Sequence, residues 1–171
     1  MVSLAQLHQR APTIAGFLAE RIEAAGLCLL ATTRADGWPR VSPLEVFVHD
    51  GRIFVGSMPG SVKAADLRRD PRCCAITPLV DKDDLSGEAK LFCRARAVVD
   101  LGEWEAIRAT FLAGRGFDVG EIGGAHLFEL DIEGAAWQRV EGETLRTTSW
   151  HPVRGVREIA RTGTDGLPVE L

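Results

Sequence analysis

The sequence predicts an antiparallel β-barrel with helices packed against its outside. Three observations carry that expectation. About eight short runs rich in β-branched and aromatic residues stand against three helical patterns, the early runs are joined by hairpin-length turns, and no βα alternation appears. Closure removes the exposed edges that so many strands would otherwise leave. With 171 residues and no linker, repeat or low-complexity block, residues 1–171 read as one domain whose tail, 162–171, is expected to fray.

Residues 13–25 carry Ile14, Phe17, Leu18, Ile22 and Ala25 at helical spacing, with Pro12 suited to the first turn and Gly26 to the end. Residues 27–34 follow as a central strand, since their apolar half is nearly continuous. A turn at 35–39 leads into a strand over 40–49, and Asp50-Gly51 marks a tight hairpin into 52–57. After a turn at 57–60, a helix spans 61–69, with the Ser61 hydroxyl expected to cap a backbone N–H of its first turn. A strand over 72–78, a polar loop to Glu88 and a strand over 89–99 come next; Lys90, Arg94 and Arg96 interrupt the apolar pattern of the last. A helix from Asp100 or Gly102 to about Ala113 puts Trp104, Ile107, Phe111 and Leu112 on one face. Glycine-rich 114–124 reads as a loop, because its glycines neither follow a strand nor open a helix as a dinucleotide fingerprint requires. A long strand over 125–140, broken at Gly134, and a pair over 143–150 and 154–161 complete the count.

Composition bounds the function. A net charge of −4 and a pI near 5.6 argue against nucleic-acid binding through a general basic surface. No signal-peptide pattern and no apolar run of membrane-spanning length is present, so no membrane partner and a cytoplasmic location are expected. Cys28, Cys73, Cys74 and Cys93 lack C-x-x-C or zinc spacing and read as buried free thiols, with no metal site. His8, His49, His126 and His151 are scattered, no G-x-S-x-G elbow occurs, and the acidic loop Asp81, Asp83, Asp84, Glu88 lacks EF-hand spacing. Only Lys63, Lys82 and Lys90 of the 20 basic residues are lysine, and with abundant Ala and Gly this points to a high-GC bacterial coding bias.

The stretch 51–72 holds the chemistry. A strand, a Gly/Ser/Pro turn and a helix start bring several hydroxyls, Lys63 and unsatisfied backbone N–H groups together, and that combination suits an anion.

Gly37-Trp38-Pro39-Arg40-Val41-Ser42-Pro43, then Phe54-Val55-Gly56-Ser57, then Ser61-x-Lys63-x-x-x-Leu67-x-x-Asp70-Pro71-Arg72 together resemble the pyridoxamine 5′-phosphate oxidase-like family of flavin-binding split β-barrels. The resemblance covers roughly 12–140, is strongest over 27–76, and implies an α+β split barrel that binds FMN at a homodimer interface. It implies that Arg40, Val41, Ser42 and Pro43 run along the flavin ring, that Ser57 and Met58 border the ribityl chain, and that Ser61 and Lys63 hold the phosphate. Trp137-x-Arg139 and Trp150 are implied to line the flavin groove of the neighbouring subunit, with Trp150 alone a stacking candidate. Two departures weigh against vitamin B6 synthesis: 89–96 replaces the family's fifth-strand signature, leaving Lys90 or Arg94 to reach the phosphate, and the C-terminal pyridoxal-phosphate signature is not evident. The implied function is an FMN-dependent oxidoreductase of unknown small-molecule substrate. The alternatives are a reductase using the deazaflavin coenzyme (F420) and a flavin- or haem-binding protein without turnover. Catalytic residues are not indicated, because hydride chemistry would belong to the cofactor.

Overall fold

The computed structural model describes residues 2–77, 83, 85–116 and 118–171. The predicted strand end at Pro78, the loop residues Asp81, Lys82 and Asp84, and Phe117 lie outside the described residues. In order, the elements are α1 (Leu4–Arg10), α2 (Pro12–Ala25), β1 (Leu27–Thr33), β2 (Pro39–His49), β3 (Arg52–Ser57), α3 (Val62–Arg69), β4 (Arg72–Ile76), β5 (Glu88–Ala97), α4 (Leu101–Arg115), β6 (His126–Glu141), β7 (Thr144–His151), β8 (Gly155–Thr162) and β9 (Val169–Glu170). Their sheet order is β3-β2-β1-β4-β5-β6-β7-β8-β9, and an antiparallel β3–β6 pairing closes the first six into a barrel. The fold is therefore a mostly β split barrel with flanking helices, as the sequence predicts.

Local chemistry accounts for the boundaries. Asp50 and Gly51 both take positive φ, 48° and 67°, as a two-residue hairpin requires, and a Cβ at Gly51 would approach Ala5 Cβ to 2.7 Å. Helix α1, unanticipated from the sequence, starts with a capping box: Gln6 N donates to Ser3 Oγ (3.1 Å) and Ser3 N to Gln6 Oε1 (3.0 Å). The S-x-x-Q pattern was its signal. Asp100 caps α4 by accepting from Glu103 N at 2.8 Å. Ser61 occupies the N-cap of α3, but its hydroxyl makes no capping bond, contrary to expectation.

Two apolar cores result. The barrel interior, with α1 and α2 against it, buries Leu7, Leu18, Leu30, Val46, Leu91 and Leu130; a second core under α4 joins Trp104, Ile107 and Phe111 to Phe47, Phe54 and Leu127. Leu112, expected on the packed face of α4, is 47% exposed. Strand β6 is not broken at Gly134. It carries a bulge there: Phe92 faces Gly134 and Cys93 faces Ile132, so Glu133 is the extra residue. The insertion inverts the side-chain alternation, and the core-facing set changes from Phe128, Leu130 and Ile132 to Ala135 and Trp137. The tail expected to fray contains β9, whose Glu170 receives two bonds from Arg157 (2.8 and 2.9 Å).

The arginines that interrupt β5 serve the second core. Arg96 from β5 and Arg52 from β3 converge on Glu103 of α4 and on buried Glu129 of β6. Arg52 Nη1 lies 2.7 Å from Glu103 Oε1 and 3.3 Å from Glu129 Oε2, and Arg96 Nη2 lies 2.8 Å from Glu103 Oε1. Hydrogen bonding from Arg96, together with Arg52, holds the Glu103 carboxyl down at about 2, against the burial that would raise it. A depressed carboxyl contributes stability above its unfolded range that disappears as pH falls through the folded value. Acid unfolding should therefore steepen between the ordinary glutamate range and about pH 2, and Glu103→Gln should flatten that limb. At neutral pH, Glu103→Gln should cost about 1 kcal/mol, because the partners are partly exposed. Urea melts across pH measure both effects; equal acid limbs in the two proteins would contradict this account.

Candidate cofactor site

The end of β3, the start of α3 and the middle of β2 enclose one side of a cavity of about 630 Å³, and the segment 119–125 forms its other wall. Pro43, Ser57, Met58 and Lys63 line it together, so the structure gathers four of the residues singled out from the sequence. Leu27, Glu45 and Gly56 also line it, as does the glycine-rich wall, which the sequence presented only as a loop.

The polar end is built around the entry to α3. Ser61 O accepts from Ala64 N and Ala65 N at 3.1 and 3.2 Å, which leaves the N–H groups of Val62 and Lys63 without intrahelical partners. The lysine makes no ion pair among the described residues. Ser57, in register with His126 of β6, has a buried hydroxyl with no hydrogen-bond partner among the described residues. An unpaired buried hydroxyl, a free cation and open backbone donors together suit the phosphate and polar chain of a ligand.

Arg40 acts beneath this site. Its Nε donates to Asp66 Oδ2 at 2.7 Å, Thr32 Oγ1 donates to the same oxygen at 3.1 Å, and Arg69 Nη2 donates to Oδ1 at 3.2 Å. Asp66 is only 3% exposed. Burial alone would raise its carboxyl, yet the bonds from Arg40, Thr32 and Arg69 hold it below the usual range. This cluster ties α3 to β1 and β2 and fixes where Lys63 stands. A second tie runs from Arg68 Nη2 to His126 Nδ1 at 3.0 Å; since arginine only donates, that ring nitrogen accepts. Burial and then the Arg68 charge lower the His126 pKa, in keeping with a neutral ring.

The opposite wall is braced from α4. Arg108 grips both oxygens of Asp118 at 2.6 Å, Asp118 Oδ1 accepts from Gly120 N at 2.9 Å, and Trp104 Nε1 donates to Gly120 O at 3.1 Å. Gly120 and Gly123 take φ of 89° and 86°, the left-handed region that favours glycine. The Trp104 and Arg108 contacts depend on long-range folding, so sequence spacing gives no signal for this wall.

The other candidates lie elsewhere. Ser61 is adjacent at the helix cap, and Ser42 is half-buried opposite Leu30 of β1. Val41, 62% exposed, belongs to an apolar outer sheet face that also carries Leu29, Ala31, Cys74, Ile76 and the 51% exposed Phe92. Trp150 is buried and lines a second cavity of about 420 Å³ with Phe92, Gly134, His151 and Arg154. Lys90 is paired with Glu88 (2.6 Å) and Arg94 with Glu133 (2.7 Å), so neither reaches the first cavity as a free cation. Trp137 and Arg139 border a third, small cavity.

Residues 14–138 match the family model described as pyridoxamine 5′-phosphate oxidase. The chain belongs to this family. A comparison with curated proteins gives no significant match. Among solved structures, ChuZ from Campylobacter jejuni aligns with a TM-score of 0.70 at 16% identity, over 98% of this chain and 70% of that one. A pyridoxamine 5′-phosphate oxidase-related, FMN binding protein from Nostoc punctiforme aligns with a TM-score of 0.60 at 15% identity, over 88% of this chain and 95% of that one. A heme binding protein from Mycobacterium smegmatis gives 0.56 at 16%, over 88% of each chain. At these identities the likeness is one of fold. Proteins of this fold thus include one described as FMN binding and one described as heme binding.

The brace makes a direct prediction. Asp66→Ala should destabilise the protein by about 2–3 kcal/mol, since it leaves the half-buried Arg40 uncompensated. A urea melt showing less than about 0.5 kcal/mol of change would mean that α3 does not depend on this carboxylate.

Proposed function

We propose that this oxidase-family member is an FMN-dependent oxidoreductase acting on a small molecule, with FMN seated in the cavity between Pro43, Ser57, Met58 and Lys63. The observation that carries this reading is the buried, unpartnered Ser57 hydroxyl beside Lys63 and the open start of α3. Lys63 supplies a point charge for a phosphate, the α3 amides supply donors, and Ser57 supplies a hydroxyl for the chain between phosphate and ring. The predominantly apolar walls suit the apolar face of a ring. FMN, when bound, supplies the hydride chemistry; the chain binds, orients and desolvates. Among the described residues no histidine, cysteine or tyrosine lines the cavity, which favours a flavin over haem, because a flavin needs no axial protein ligand.

The same reading includes a homodimer joined through the outer sheet face of β1, β2, β4 and β5. Its support is the exposed apolar set Val41 and Phe92 with half-buried Leu29, Ala31, Cys74 and Ile76, a continuous patch of the kind that marks interfaces. The second cavity, with Trp150 and Phe92, borders this face and would belong to the dimer rather than to one chain's site. A cytoplasmic setting accords with four cysteines that form no disulfide.

Purified protein should show the paired visible bands of oxidised flavin. A single deazaflavin-like band or a Soret band would replace FMN by the corresponding cofactor. Ser57→Ala with Lys63→Ala should weaken FMN binding by at least about tenfold in a fluorescence titration, with little change in thermal midpoint. Unchanged affinity would place the phosphate elsewhere. Val41→Glu with Phe92→Glu should convert a dimer into a monomer in light scattering; a wild-type monomer would remove the dimer from the proposal.

A further inference from the structure

The cavity at Lys63 carries two carboxylates that the flavin reading leaves unused. Glu45 stands two residues from Pro43 on β2, on the same face of the strand, and its register partner Leu27 lines the cavity as well. Glu121 belongs to the opposite wall, where Gly124 N donates to its carbonyl at 3.0 Å and the neighbouring Gly120 is held by Asp118 and Trp104. The backbone that carries each carboxylate is therefore fixed, and the two reach the cavity from separate elements.

Neither is neutralised within the chain. Arginines take up the carboxylates of Asp66, Glu103, Asp118 and Glu133, whereas Glu45 and Glu121 make no ion pair among the described residues. Arg40, the cation expected along the ring, is turned to Asp66, and Lys63 is the one cation that lines the cavity among the described residues. Once a phosphate engages Lys63, two negative charges remain beside apolar walls that include Leu27, Leu44, Val119 and Ala125. Next to such low-dielectric surface they attract a cation more strongly than in bulk water and repel an anion in the same measure. A metal ion is a poor match: it needs more protein ligands than two, and no group of three or more metal-ligating side chains occurs among the described residues.

We propose that the substrate is a small organic cation, an amine or amidinium carried on an apolar body, with Glu45 and Glu121 facing its charge and the apolar walls its body. This rests on the flavin reading above, which assigns Lys63 to the phosphate. Glu45 and Glu121 act as specificity-determining residues and transfer no proton.

The test uses the full chain loaded with FMN and titrated at neutral pH and constant ionic strength with benzylamine, benzyl alcohol and benzoate, three probes of similar shape, followed through the flavin visible bands. Protonated benzylamine should bind at least about fivefold more tightly than benzyl alcohol, and benzoate more weakly than either; the margin is modest because both carboxylates are solvent-exposed. Glu45→Gln with Glu121→Gln, two exposed positions where substitution is mild for the fold, should erase the preference by weakening the amine alone. Equal affinity for amine and alcohol, a preference that survives the double substitution, or no binding of any probe would overturn the proposal. A chain that takes up no FMN would instead remove the flavin reading, and the same three titrations of the apo chain by calorimetry would then judge the carboxylate pair by itself.

Discussion

The closing pair of strands governs everything else in this molecule. Phe54 to Ser57 of β3 lie against His126 to Glu129 of β6, joining strands that stand far apart in the sequence. Without that ladder the sheet would be open, and the interior side chains Leu30, Val46, Leu91 and Leu130 would have no common centre to fill. The same ladder places Ser57 beside His126 and brings Glu129 under Arg52. One set of backbone bonds therefore shapes the core, the cavity at Lys63 and the seat of α4.

Helix α3, which borders the cavity, and helix α4, which braces its opposite wall, are each secured by a carboxylate. On α3, Asp66 gathers Thr32, Arg40 and Arg69; on α4, Glu103 gathers Arg52 and Arg96. On α4 these bonds add to the apolar contact of Trp104, Ile107 and Phe111, whereas on α3 they stand in for one. Helix α3 carries few apolar residues, Ala64 and Leu67 being the buried ones, and so depends on polar ties for its placement. The cavity lies between α3 and the segment 119–125, which is braced in turn from α4.

Much of this was legible in the sequence because the informative signals are local. Hairpin residues such as Asp50-Gly51, the period of Trp104, Ile107 and Phe111, and the Ser61-x-Lys63 start of α3 each act within a few positions. The cavity residues Pro43, Ser57, Met58 and Lys63 were reached by likeness to a family and by the chemistry of a helix start together. What stayed hidden depends on tertiary geometry. Arg40 carries no sign that its guanidinium would turn beneath α3 to Asp66 and not toward a ligand. Trp150 and Leu112 show the converse: hydrophobic character does not say whether a residue ends in a core, a cavity wall or solvent. The bulge at Glu133 looks like a break in the sequence because glycine in a strand signals both.

That bulge has a consequence for how the chain tolerates insertion and deletion. Strand β6 serves two masters: its first half fills the barrel, and its second half presents Trp137 to Phe17 of α2, ring centroids 5.7 Å apart. Glu133 is the frame shift that makes the two halves compatible. Most substitutions at a half-exposed glutamate are absorbed by solvent, but loss of the residue itself would restore the alternation and turn Trp137 to the outer face. The length of the chain at this point is more tightly constrained than the identity of the residue that supplies it.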